Sequence, residues 1–103
     1  MNKRLAMLEK MTESGRADAF AWYGLAMEYR REARALDALG VFQKLRELHP
    51  DYLPMYLMAS QTLVEARDTA QARGWLEAGI ELARTQGAGH ALGELEGALA
   101  ELE

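Results

Sequence analysis

The sequence predicts an all-α chain of about six antiparallel helices. Three observations carry this. No stretch alternates apolar and polar residues long enough to read as a strand. Val and Ile, which favour pleated surfaces, are scarce. Apolar residues recur at helical spacing between short turn signals, namely Ser14-Gly15, His49-Pro50-Asp51, Arg67-Asp68 and Gly87-Ala88-Gly89.

The first helix is placed at 2–14, where Leu5, Leu8 and Met11 recur at helical spacing and Gly15 can adopt the left-handed conformation that ends a helix. Asp18 offers a carboxylate to an unpaired amide at the start of the next helix, 19–31. The third helix runs 35–48. His49-Pro50-Asp51 stops it, because proline disfavours helical geometry in the preceding residue and has no amide hydrogen to donate. Pro54 suits the first turn of helix 53–66. Arg67-Asp68 makes a tight turn, helix 69–85 follows, and Gly87-Ala88-Gly89 separates it from a final helix at 89–102. No stretch reads as a disordered linker.

At an offset of 34 the chain repeats a helical hairpin. The first copy carries Trp22, Leu25, Ala26, Tyr29, Ala38, Phe42 and Pro50; the second places Tyr56, Ala59, Ser60, Leu63, Ala72 and Leu76 at equivalent positions, with Arg84 where the first has proline. Upstream, Leu5, Leu8, Lys10 and Met11 precede Leu39, Phe42, Lys44 and Leu45 by the same 34. The pattern resembles the tetratricopeptide-repeat signature, tryptophan-leucine-small-tyrosine followed by alanine, phenylalanine and proline, over most of 1–86. The resemblance implies a short right-handed α-α superhelix, an alpha solenoid. Its divisions are an N-terminal capping helix in 1–17, one repeat in 18–52, a second in 53–86 and a C-terminal capping helix in 87–103. Strict register puts His90, Gly93 and Gly97 where Trp22, Leu25 and Tyr29 stood, so the last helix is no true copy. Its apolar arc is Leu92, Leu95, Leu99 and Leu102.

Bulk properties narrow the function. The 103 residues fit one small domain. There is no cysteine, so disulfide and thiolate chemistry are excluded. With only His49 and His90 as histidines, a protein-built zinc site would need carboxylates. A formal charge of −4 and a pI near 5.2 argue against nucleic acid as a partner. Met1-Asn2-Lys3-Arg4 is basic enough to open a signal peptide, but Glu9 and Lys10 interrupt the apolar stretch, and no segment is apolar enough to span a membrane. The expectation is a cytoplasmic protein without a cofactor. No nucleophile elbow, phosphate loop or histidine-based zinc motif is present, and Gly87-x-Gly89 lacks both the preceding strand and the third glycine of a dinucleotide loop. Glu94 and Glu96, two apart on one helix, point in different directions and cannot act as an acid–base pair. The chain reads as a non-enzyme.

The resemblance assigns Trp22, Leu25, Tyr29, Phe42 and Leu45 to the core, with Ala26 and Ala38 where helices approach closely. Trp75 is expected to pack under the last helix, with Met7 and Val41 in equivalent places and Gly79 leaving room for its ring. The resemblance also implies that the first helix of each repeat lines a concave groove, here with Phe20, Tyr23, Met27 and Arg30, then Pro54, Leu57, Gln61 and Val64, flanked by Gly24 and Met58. These positions face away from the core side of their helices, and their apolar character points to an apolar or amphipathic peptide or helix as the partner. Met27 and Met58 add adaptable thioethers and Tyr23 rigid contact area. Relatives that grip chaperone C-termini use a lysine and asparagine clamp; Tyr23, Met27, Leu57 and Gln61 stand there instead, which argues against that ligand. The function expected is an adaptor, a protein-protein interaction scaffold. The alternative is a structural homo-oligomer, paired through exposed repeat ends or through the terminal helix, where Gly89, Gly93 and Gly97 permit close helix approach.

Overall fold

The computed structural model describes residues 1–102. Its elements are six helices: α1 (Lys3–Glu13), α2 (Ala19–Arg31), α3 (Ala35–Leu48), α4 (Pro54–Glu65), α5 (Thr69–Gln86) and α6 (Gly89–Glu101). They gather into two compact units, Met1–Tyr52 with α1 to α3 and the residues from Leu53 onward with α4 to α6.

The helix starts follow the local chemistry. Asp18 accepts a hydrogen bond from the Ala21 amide at 2.8 Å and opens α2; Asp68 accepts from the Gln71 amide at 3.1 Å and opens α5. Asn2 does the same for α1, taking the Leu5 amide at 3.0 Å. Pro54 sits in the first turn of α4, where its missing amide hydrogen costs nothing.

The helix ends share one device. After α1, α2, α4 and α5 the backbone turns left-handed, at Gly15 (φ 74°), Ala33 (φ 57°), Arg67 (φ 64°) and Gly87 (φ 66°). In each case the next amide reaches back five residues. Arg34 N donates to Tyr29 O at 2.9 Å, Asp68 N to Leu63 O at 2.8 Å, Ala88 N to Ala83 O at 2.9 Å and Arg16 N to Met11 O at 3.2 Å. This is a Schellman closure, which satisfies carbonyls that the helix leaves unpaired. Ala33 and Arg67 lie 34 apart, so the hairpin turn repeats in backbone as well as in side chains. Both do so without glycine.

In the first unit α2 packs against both α1 and α3. Its core is Leu5 and Leu8 from α1, Ala21, Leu25, Ala26 and Tyr29 from α2, and Ala38, Phe42 and Leu45 from α3. Trp22, expected in this core, is only half-buried. In the second unit α5 packs against α4 and α6. Met55, Tyr56, Ala59 and Leu63 of α4 meet Ala72, Trp75, Leu76, Ile80 and Ala83 of α5, with Leu95 from α6. Trp75 is buried with its ring 5.7 Å from that of Tyr56, whereas Met7 is exposed and Val41 half-buried, so the three equivalent positions do not share one packing role. The atoms nearest to a Cβ position on Gly79 belong to Tyr56 and Leu95, not to the Trp75 ring. A Cβ added there would lie 2.7 Å from Tyr56 Cβ and 3.1 Å from Leu95 Cδ2, so the glycine admits α4 and α6 against α5.

Two stability tests follow from this geometry. Ala33→Gly and Arg67→Gly should each raise the unfolding free energy by about 0.5–1 kcal/mol in urea melts, because the left-handed penalty on a Cβ exceeds the extra chain entropy that glycine loses. Gly79→Ala should lower stability by roughly 1–3 kcal/mol through overpacking. Gly74→Ala, on the same helix with nothing near its Cβ position, should raise it by up to about 1 kcal/mol; equal effects at the two glycines would contradict the close approach at Gly79.

Candidate peptide-binding site

Phe20, Tyr23 and Met27 recur at three- and four-residue spacing, which places them on the same side of α2. The opposite side is committed to the core through Ala21, Leu25 and Tyr29. Phe20 is 68% exposed, and Tyr23, Met27 and Arg30 are half-buried. Phe20, Tyr23 and Met27 line one shallow hollow of about 350 Å³ beside α1, floored in part by Gly24 and edged by Arg4, Glu28 and Arg31. Gly24 keeps the floor low: a Cβ there would be in ordinary contact with Leu8 and the Arg4 guanidinium.

Tyr23 has two roles. Its ring lies 5.4 Å from that of Tyr52 and 6.5 Å from that of Phe42, both in tilted arrangements, so it joins the hollow to the core of the first unit. Burial pushes its hydroxyl above the ordinary phenol value, Tyr52 nearby adds to the rise, and the Arg30 charge opposes it. Tyr52 is raised as well, first by burial and then by the Asp18 carboxylate.

The α4 residues belong to the second unit. Leu57 and Met58 are half-buried, and Pro54, Gln61 and Val64 are exposed. The buried hydroxyls on this helix are satisfied internally, Ser60 Oγ donating to Leu57 O at 2.7 Å and Thr62 Oγ1 to Met58 O at 2.8 Å. They therefore make no demand on the exposed strip.

Sequence reasoning missed a polar joint beside the hollow. The Glu28 side chain, in the last turns of α2, is only 7% exposed. Asn2 Nδ2 donates to its Oε2 at 2.9 Å, while Arg4 Nε stands 3.3 Å and Arg31 Nη1 3.9 Å from its Oε1. One turn along α1, Glu9 Oε2 accepts from the Tyr29 hydroxyl at 2.5 Å, and the Arg34 guanidinium lies 4.5 Å over the Tyr29 ring while pairing with Asp37 at 2.9 Å. The signal available in the sequence was the placement of Glu28 beside the signature residue Tyr29, on the side facing α1.

Among the described residues no group of three or more His, Cys, Asp or Glu side chains is placed to hold a metal ion, and no helix is long and apolar enough to cross a membrane. Paired helices repeated along the chain define a helical-repeat protein. A tetratricopeptide repeat domain protein from Salinibacter ruber, solved by solution NMR, is similar with 34% identity and a TM-score of 0.80, covering 84% of this chain and 87% of that one. A crystal structure of a tetratricopeptide repeat domain protein from the same organism is similar with 32% identity and a TM-score of 0.78, covering 84% of this chain and 96% of its own. A Bordetella parapertussis protein shares the fold at 24% identity and a TM-score of 0.83, covering 99% and 89%. No protein-family model and no curated protein matches the sequence. The chain belongs to the tetratricopeptide-repeat family.

Because the Tyr29 hydroxyl donates to the Glu9 carboxylate, removing its proton loses that bond, and burial and the Glu9 charge oppose the phenolate further; the pKa is pushed up from 10.0 to about 12. The unfolded phenol ionises at the ordinary value, so this contribution to stability is complete below pH 10.0 and is lost as pH rises towards about 12. Phenolate absorbance should show one tyrosine titrating near pH 12. That transition should vanish in Tyr29→Phe, which should also lose about 1–3 kcal/mol by leaving Glu9 without its donor.

Proposed function

We propose that this chain is a non-enzymatic protein-protein interaction scaffold that takes an apolar or amphipathic peptide or helix on its first-helix strips. The observation that carries the reading is the α2 strip, where a 68%-exposed phenylalanine stands with Tyr23 and Met27 around a single hollow although the same helix already has a filled core side. Exposed apolar groups gathered in one concavity gain by desolvation when a partner covers them, and isolated ones do not. Leu57, Met58, Gln61 and Val64 of α4, half-buried or exposed, are the second contact in this reading. Membership of a family of interaction modules supports the class of function.

Selection from a random peptide display library on the immobilised protein should enrich sequences with apolar residues at helical spacing. Phe20→Ala with Met27→Ala should lose them while circular dichroism and melting temperature hold. Phe20 is the cleaner probe than Tyr23, whose ring also supports Phe42 and Tyr52. Peptides retained equally by the double variant would remove the site from α2.

A further inference from the structure

Charge distinguishes the α2 hollow within a chain whose formal net charge is −4. Two guanidiniums, those of Arg4 and Arg31, stand against the single carboxylate of Glu28, which leaves one net positive charge at the edge of an apolar floor. Glu28 is buried and fully engaged, since Asn2 donates to one of its oxygens and the arginines flank the other. The two guanidiniums are not used up by this arrangement. Their side chains are 59% and 78% exposed, and each carries five N–H donors. An adjoining hollow adds Lys3 and Glu32, one charge of each sign, and leaves the balance unchanged.

We propose that the partner segment seated on Phe20, Tyr23 and Met27 is an acidic amphipathic helix, with large apolar residues facing the hollow and carboxylates reaching Arg4 and Arg31. The inference rests on the scaffold reading above and specifies its ligand. A carboxylate arriving at this edge meets two guanidiniums held near one another by their attraction to Glu28 and accepts paired N–H donors from them. A lysine in the same place meets like charge. Glu28 opposes an incoming anion, and the two arginines outweigh it by one charge.

Two fluorescein-labelled peptides test this, each about fifteen residues long on one amphipathic template with Leu and Phe at the apolar positions and either Glu or Lys at the intervening ones. Anisotropy titration at low salt should show the Glu peptide binding at least about tenfold tighter, with the advantage shrinking as salt is raised. Arg31→Gln should cut that advantage by about threefold, and Phe20→Ala should weaken both peptides. Equal affinities that both fall in Phe20→Ala would overturn the acidic preference and leave the apolar scaffold standing. Binding of neither peptide, or binding indifferent to Phe20→Ala, would overturn both readings. A concentration-dependent mass in light scattering, abolished by Phe20→Ala, would put a second copy of the chain in the hollow and overturn the partner helix.

Discussion

Two helices approach closely only where neither carries bulk at the crossing, and the pairing of α2 with α3 and of α4 with α5 depends on that constraint. Ala26 and Ala38 serve the first unit, and Ala59, Ala72 and Ala83 the second, each with 0% exposure. Around these low points the long side chains interlock, Phe42 and Leu45 on α3 and Leu76 on α5. Interiors of this kind are packed at crystal-like density, so a methyl group in the wrong place is felt as strain and a missing one as a void. The repeat signature is therefore as much a record of absent bulk as of present bulk, and its alanines carry as much information as its aromatics.

The first helix is held differently. α1 contributes Leu5 and Leu8 to the core, and polar contacts add to its attachment to α2, through Asn2 and Arg4 to Glu28 and through Glu9 to Tyr29. A carboxylate buried at such a joint loses hydration, and that loss is offset only when its acceptors are well used, as those of Glu28 are. The joint also has a geometric result. Arg4 and Arg31, which hold Glu28, form the edge of the α2 hollow, so the attachment of α1 and the shape of the candidate site are settled by the same three side chains. A site supported in this way is organised before any ligand arrives.

The helix boundaries were legible because their signals are local. Asp18, Pro54, Gly15 and Gly87 each satisfy or exempt a backbone group within a few residues, and each stands where the chain turns. The turn at Arg67-Asp68 was legible but its left-handed residue was not, and Ala33 gave no signal at all, since neither Ala33 nor Arg67 prefers the left-handed region; the five-residue hydrogen bond secures it. Glu28 was illegible for a related reason. A glutamate between a methionine and a tyrosine reads as solvated until a second helix supplies Asn2 and Arg4 from 24 or more residues away. On α2 the helical period separated the core side from the hollow side correctly for Leu25 and Phe20, but an aromatic ring is wide enough to serve both, as Tyr23 does.

The departure of α6 from the repeat pattern is matched by a change in α5. Leu45, buried with 0% exposure in the first unit, is replaced 34 residues later by Gly79. The volume left by that exchange is occupied by Leu95 from α6 and by the approach of Tyr56 from α4, both within contact distance of the missing Cβ. A helix that inserts a leucine at this point cannot also present the tryptophan–leucine–tyrosine face of a further repeat, because Leu95 lies on a different side from positions 90, 93 and 97. Those positions carry a histidine and two glycines, with open space around the glycines, while the leucine arc turns towards α5. Gly79 on α5 and the leucine face of α6 thus fit one another: the space that a side chain at position 79 would need is the space that Leu95 fills.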